Sequence, residues 1–239
     1  TQADIDAEVQ FGRTLAARIL GRYPLHEDEL LQRYVALVGH RLAANSGRPE
    51  LAFSFGVIES DEVNAFAAPG GYIFITKGAL VKMRDEAELA GVLGHEIGHI
   101  NARHMVKAFD IRGVDTSAGA GLASLIGGST ASLRGAFQQS LARAADILFR
   151  SGYQADEELD ADQTGLYLAI LSGYDAGGLG RFLNRVGGFE AGDARSASHP
   201  LHGERLKALA EGQIVQTVSD RDGSGRFTAR FATHVRNLQ

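Results

Sequence analysis

The residues with the clearest capacity for chemistry lie in Val92-Leu93-Gly94-His95-Glu96-Ile97-Gly98-His99-Ile100. On an α-helix the His-Glu-x-x-His spacing puts two imidazoles one turn apart on the same face. His95 and His99 can then present ring nitrogens to one metal ion. Glu96, about 100° further round the helix, can reach a water on that metal without being a ligand. Two ligands and a general base are what metal-assisted peptide hydrolysis requires, with zinc as the customary ion. Two core histidines can fall four apart by chance, but a buried helix has no packing use for a carboxylate between them.

The motif needs a helix, and the flanking residues supply one. Asp85 is a good N-cap, and Glu88 completes a D-x-x-E capping box. Leu89, Val92, Leu93, Ile97 and Ile100 recur at helical spacing. Gly91, Gly94 and Gly98 each cost about 1 kcal/mol relative to Ala in a helix interior, so their presence predicts that another element approaches this helix closely.

Composition narrows the classes of function. With 239 residues, 44% hydrophobic and 22% charged, the chain can bury a sizeable core. A net charge of −5 without a long basic run argues against a nucleic-acid partner. Cysteine is absent, so there is no disulfide framework and no thiolate ligand, and any metal must be held by His, Asp or Glu. No apolar run approaches the 20 or so residues of a membrane span. The chain begins at Thr1 without a signal-like segment, as a trimmed or mature form would.

The elements that must position the motif follow in order. Residues 4–21 and 26–44 predict amphipathic helices, the second with Glu27, Asp28 and Glu29 in its first turn, where the macrodipole favours them. Strands are expected at 51–58, 63–67 and 72–76, with a turn at Pro69-Gly70-Gly71. A short helix from Gly78 precedes the motif helix. Residues 113–136 are rich in Gly, Ser, Thr and Ala and read as a loop or loosely held helix. Helices are expected at 132–149, 155–172, 176–186 and 202–210, a Gly/Ala/Ser loop at 187–197, a polar linker at 219–225, and a short helix at the end. The expected fold is α+β and mostly helical, with a small antiparallel sheet beside the motif helix. It forms one domain over 1–239: N-terminal helices in 1–48, sheet and motif helix in 49–112, and a helical half in 113–239.

A catalytic zinc usually has three protein ligands. No histidine follows at the metzincin spacing. His104, five residues after His99, would sit about 140° off the ligand face of a continuous helix and reads as structural. The third ligand is then expected among the acids of Asp156-Glu157-Glu158-Leu159-Asp160-Ala161-Asp162. Acids at a helix start are common for dipole reasons alone, which accounts for Asp156 and Glu157. Glu158 and Asp162 stand apart, one turn from each other and followed by apolar Leu166. A ligand carboxylate with a second carboxylate orienting a ligand imidazole is a recurrent pairing.

These motifs together resemble the HtpX and CAAX-prenyl-protease family of gluzincin metallopeptidases. The resemblance rests on His95-Glu96-x-x-His99 with Glu158-x-x-Ala161-Asp162, and on Asn64-Ala65-Phe66-Ala67-x-Pro69-Gly70-Gly71 upstream. Asp162-x-x-Gly165, Gly173-Tyr174-Asp175 and His199-Pro200-x-x-x-x-Arg205 extend it downstream, to roughly residues 30–210. It implies a zinc endopeptidase with His95, His99 and Glu158 as ligands, Glu96 as base and Asp162 supporting a ligand histidine. It further implies a substrate-binding edge strand at Asn64, Ala65 and Phe66. Membrane members carry transmembrane helices that this chain lacks, so it is more similar to the soluble envelope members that act in outer-membrane quality control. Periplasmic or envelope location, unfolded or misassembled polypeptides as substrates, and association with membrane proteins follow from that resemblance. The oxyanion needs a donor besides the metal, and Arg205 and His199 are the candidates. His199 could alternatively fill the open metal position and hold the enzyme off. The alternative function is a zinc-binding chaperone or scaffold without turnover, against which the intact Glu96 argues.

Overall fold

The two helical stretches at the start of the chain are fixed by their caps. In the computed structural model, which describes residues 1–112, 131–187, 202–211 and 225–238, α1 spans Gln2–Arg22 and opens on a capping box between Thr1 and Asp4. Helix α2 spans Glu29–Ala43, and the Asp28 carboxylate accepts from the backbone of Leu30 and Leu31. Three strands follow: β1 (Ser54–Ile58), β2 (Ala65–Ala68) and β3 (Tyr72–Thr76). Then come α3 (Lys77–Lys82), α4 (Glu86–Asn101), α5 (His104–Ala108) and α6 (Ala131–Asp146), which runs into a π-helical turn at Ile147–Ser151. The remaining elements are α7 (Ala155–Leu171), α8 (Gly178–Val186), α9 (His202–Glu211), α10 (Thr228–Val235) and a 3-10 turn at Arg236–Leu238. None of the helices among the described residues is long and apolar enough to cross a membrane.

The architecture is α+β and mostly helical. The sheet, expected to be antiparallel, is mixed: its order is β1-β3-β2, with β1 parallel and β2 antiparallel to β3. Alternation and β-branched residues identify strands but say little about which neighbour each one pairs with or in which direction. The tight Pro69–Gly71 turn makes β2 and β3 a hairpin, with Gly70 and Gly71 at φ 76° and 97°. The chain from β1 crosses to the far side of β3, which leaves β2 at an edge.

Side chains alternate between two cores, as strand geometry requires. Ala65, Ala67, Ile73 and Ile75 face a cluster with α2, α4 and α8. Phe66, Ala68 and Phe74 face a second cluster with α1 and α6. The motif helix α4 therefore lies on one face of the sheet, and its residues Glu86–Ile100 are all buried.

Small residues let α7 lie against α4. A Cβ on Gly94 would meet the Gly165 carbonyl oxygen at 2.9 Å, one on Gly98 would meet that of Ala161 at 2.7 Å, and one on Gly165 would meet the His95 amide nitrogen at 2.6 Å. The helix-weakening glycines thus bring the backbone that carries His95 and His99 up to the backbone that carries Glu158 and Asp162.

Candidate metal centre

Asp85 caps α4 as its type suggests, accepting from the Glu88 amide at 3.0 Å. The reciprocal half of the expected box is displaced by one residue: Glu88 accepts from the Arg84 amide at 2.9 Å and pairs with Arg185 at 2.5 and 2.6 Å. The first-turn amides of Glu86 and Ala87 donate to the Arg226 carbonyl, so the start of α4 is clamped by the C-terminal segment. A helix held this firmly presents its later residues in fixed directions.

Two of those directions converge on a residue of α7. His95 Nε2 and His99 Nε2 are 3.1 Å apart. Glu158 Oε2 is 3.6 Å from the first and Glu158 Oε1 is 3.5 Å from the second. Ligands about 2.0–2.1 Å from a tetrahedral ion stand about 3.3 Å apart, so this spacing fits a metal bound to one atom from each residue. The three residues are buried, and their ligand atoms all lie within 4.8 Å of one another. The chemistry of the atoms agrees with their spacing. His95 Nδ1 lies 2.7 Å from Asp162 Oδ1, and a carboxylate accepts only, so Nδ1 carries the proton and Nε2 offers a lone pair. The His95 lone pair thus faces His99 Nε2 and the Glu158 carboxylate in a buried space, a set of atoms that could hold a metal ion.

Asp162 is itself held from behind. Arg205 Nε donates to Oδ2 at 2.8 Å and Arg205 Nη2 to Oδ1 at 2.7 Å, while Nη1 lies 2.8 Å from Glu158 Oε2. Burial would raise the Asp162 pKa, but hydrogen bonds from His95 and Arg205 outweigh it and hold the carboxyl at about 2. Arg205 is 2% exposed. Expected as a donor to the oxyanion, it sits with its guanidinium directed at the carboxylates of Asp162 and Glu158.

Other expected residues are placed as follows. Glu96 is buried on α4 between the two histidines. Ala65 and Phe66 lie in edge strand β2, and Asn64 directly precedes it. The Ala65 amide donates to Asn64 Oδ1 at 2.8 Å, not to β3. His199 lies outside the described residues, as do 113–130 of the glycine-rich stretch, 188–197 of the next loop and 219–224 of the linker.

Two residues lie against His99 that the sequence does not place there. The α4 helix ends at Asn101, and Arg103 adopts φ 58°, so α5 starts in a new direction at His104. The continuous-helix argument that put His104 off the ligand face fails there, and His104 Nδ1 lies 2.9 Å from His99 Nδ1. Burial lowers the pKa of His104, with the charges of Glu157 and Asp160 opposing. Tyr153 stacks on the His99 ring, with centroids 3.9 Å apart and planes 18° from parallel. The π-helical turn and Gly152, at φ 70°, deliver it there. Its hydroxyl pKa is pushed well up, first by burial and then by the nearby Glu96 and Glu158 charges. An aromatic residue after a glycine five places ahead of Glu158 was the available signal; no periodicity marked it.

Known proteins share much of this chain. The beta-barrel assembly-enhancing protease of Yersinia pestis is 31% identical over 226 residues, covering 84% of this chain and 43% of its own length. The Escherichia coli protein of the same name is 30% identical over 203 residues, covering 82% and 40%. The mitochondrial metalloendopeptidase OMA1 of Arabidopsis thaliana is 29% identical over 194 residues, covering 80% and 38%. The chain thus spans about two fifths of the length of these relatives. The sequence pattern of peptidase family M48 matches residues 29–213, a stretch that includes the sheet, α4, α7 and Arg205. A match over so much of the chain, covering every residue of the converging site, means that the chain belongs to peptidase family M48.

Proposed function

We propose that this chain is a zinc-dependent endopeptidase domain acting on unfolded or misassembled polypeptides, with His95, His99 and Glu158 as metal ligands and Glu96 as general base. The observation that carries this reading is the convergence of His95 Nε2, His99 Nε2 and the Glu158 carboxylate at 3.1–3.6 Å. A zinc ion held there would supply Lewis-acid polarisation of the scissile carbonyl and lower the pKa of a bound water toward about 7. Glu96, next to His95 on a rigid helix, takes the proton of the attacking water and returns it to the leaving amine. Asp162 keeps the Nδ1 proton on His95, and Arg205 keeps Asp162 charged and Glu158 aimed. Arg205 is therefore assigned to positioning, not to the oxyanion.

Substrate binds by adding a strand to β2. What supports this is the position of β2 at an edge of the sheet, with the Ala65 amide bonded to the Asn64 side chain and not to β3, so that a peptide would take the place of that bond. The names of the bacterial relatives, which refer to β-barrel assembly, support work in the cell envelope, on chains that have failed to assemble and beside membrane proteins.

The test is Glu96→Gln, assayed for bound zinc and for casein cleavage. Full zinc content with cleavage reduced by about 10²–10⁴-fold is expected for a lost general base. Loss of zinc together with activity would make Glu96 a ligand instead. Cleavage by the unaltered chain that vanishes on chelation separates a peptidase from a zinc-binding chaperone. Ala65→Pro, which removes the Ala65 N–H and its bond to Asn64, should raise KM for casein by several-fold without unfolding the protein; unchanged kinetics in the folded variant would exclude strand addition at that point.

A further inference from the structure

We propose that His104 is the positioning residue for His99: its Nδ1 lone pair holds the proton on His99 Nδ1 and so turns His99 Nε2 toward the metal. The inference rests on the assignment of His95, His99 and Glu158 as ligands. It starts from an asymmetry. His95 is backed by a carboxylate, which can only accept, whereas the partner of His99 Nδ1 at 2.9 Å is a second imidazole nitrogen. One proton lies between two such nitrogens. If His104 kept it, His99 would carry its own proton on Nε2, the atom 3.1 Å from His95 Nε2 and 3.5 Å from Glu158, and could not ligate. Ligation therefore requires His104 to accept at Nδ1 and to carry its proton on Nε2.

The surroundings of His104 favour that tautomer. Its Nε2 lies 3.4 Å from Asp160 Oδ2, an acceptor on the same helix as Glu158. A chain of three groups results: Asp160 accepts from His104, and His104 accepts from His99. The backbone is bent to make it. Arg103 occupies the left-handed region at φ 58°, which a non-glycine residue adopts at a cost, and this turn sends α5 back so that His104 meets a residue one turn inside α4. Tyr153 closes the opposite side by stacking on the His99 ring at 3.9 Å. The ring is thus clamped by its face and oriented by its edge.

Asparagine and glutamine at position 104 separate this role from simple packing. In Asn the Oδ1 atom takes the place of His Nδ1 and keeps an acceptor facing His99. In Gln the polar end lies one bond further out, near the former Nε2, and nothing accepts at the Nδ1 position. Both are polar and of similar bulk. The measurement is Zn²⁺ affinity of the full chain by competition with a chromophoric chelator, with the visible spectrum of the Co²⁺-loaded protein as a second readout. His104→Gln should weaken Zn²⁺ binding by about 10–100-fold, the usual cost of losing such a partner, and alter the Co²⁺ spectrum. His104→Asn should recover most of the affinity and the original spectrum. Equal affinity for the two variants, or tighter binding by Gln, would overturn the proposal. His95→Ala serves as the reference: if it leaves Zn²⁺ affinity intact, the ligand assignment itself fails, whatever the outcome at His104.

Discussion

The two ends of α4 are both crowded with buried charge, yet they are built to opposite plans. At the N-terminal end four acids meet four arginines: Arg181 lies among Asp85, Asp175 and Glu88, Arg185 pairs with Glu88, Arg226 with Asp175 and Arg230 with Glu86. Every acid there faces at least one guanidinium, and Tyr34 and Tyr174 add their hydroxyls to Glu86 at 2.8 and 2.9 Å. At the other end one arginine, Arg205, is shared by Asp162 and Glu158, and ring nitrogens face each other and a carboxylate. The first arrangement balances acids with arginines inside the protein. The second brings together three residues that could hold a metal ion. Buried charge alone therefore says little about function; the matching of donors to acceptors tells the two ends apart.

Breaking the functional end should have the larger effect. Asp162→Ala removes the acceptor for His95 and leaves Arg205, 2% exposed, without its bidentate partner. Breaking a buried pair in this way typically costs about 3–5 kcal/mol, and losing the support of a ligand imidazole costs about 10–100-fold in metal affinity. Urea denaturation of the metal-free protein and chelator competition should show both. Asp156→Ala, on the exposed start of the same helix, should shift neither stability by more than about 0.5 kcal/mol nor affinity. Equal behaviour of the two variants would refute the role given to Asp162.

The seam between α4 and α7 offers the next test. A methyl group at Gly165 would stand 2.6 Å from the His95 amide nitrogen, a backbone atom that cannot rotate away. Gly165→Ala should therefore push the helices apart, costing about 1–3 kcal/mol as overpacking does. It should also lower Zn²⁺ affinity, because the ligand spacing is set across that seam. A stable variant with unaltered affinity would mean that the ligand spacing does not depend on this approach.

The difference between the two ends also explains what was legible in the sequence. His95, Glu96 and His99 share one helix, so a 3.6-residue period was enough to align them. Glu158 and Asp162 were visible as a one-turn pair, and the glycines of α4 predicted a close neighbour. Relations between elements were legible only where a motif or a glycine pointed to them. The parallel pairing of β1 with β3 depends on where the chain goes after Ile58, which side-chain alternation does not encode. The contact of His104 with His99 was not legible because Asn101 is a weak helix-end signal; no glycine or proline follows it, and the left-handed turn falls on an arginine. Arg205 is a candidate oxyanion donor from the sequence because its motif does not say which groups its guanidinium will face; in the structure these are Asp162 and Glu158.

The smallest effect is expected at the structural end, and it carries a pH signature. Glu86 is 1% exposed. Burial raises its pKa, but Arg230, Tyr34 and Tyr174 together bring it below the ordinary carboxylate value. A carboxyl depressed in the folded state binds fewer protons there than in the unfolded chain. Its contribution to stability is then complete above the unfolded value, near 4.5, and fades as pH falls through the lower folded value. Arg230 has a side chain 50% exposed, so solvent screens much of that pair, and Glu86→Gln should cost only about 1 kcal/mol at neutral pH. The variant should lose less stability than the unaltered chain on acidification below the ordinary carboxylate range, and the two unfolding curves should converge there. Zn²⁺ affinity at neutral pH should be unchanged, since the three ligands lie two or more turns away along α4 or on α7. A loss of Zn²⁺ binding in Glu86→Gln would show that the two ends of α4 are coupled and that the division drawn between them is false.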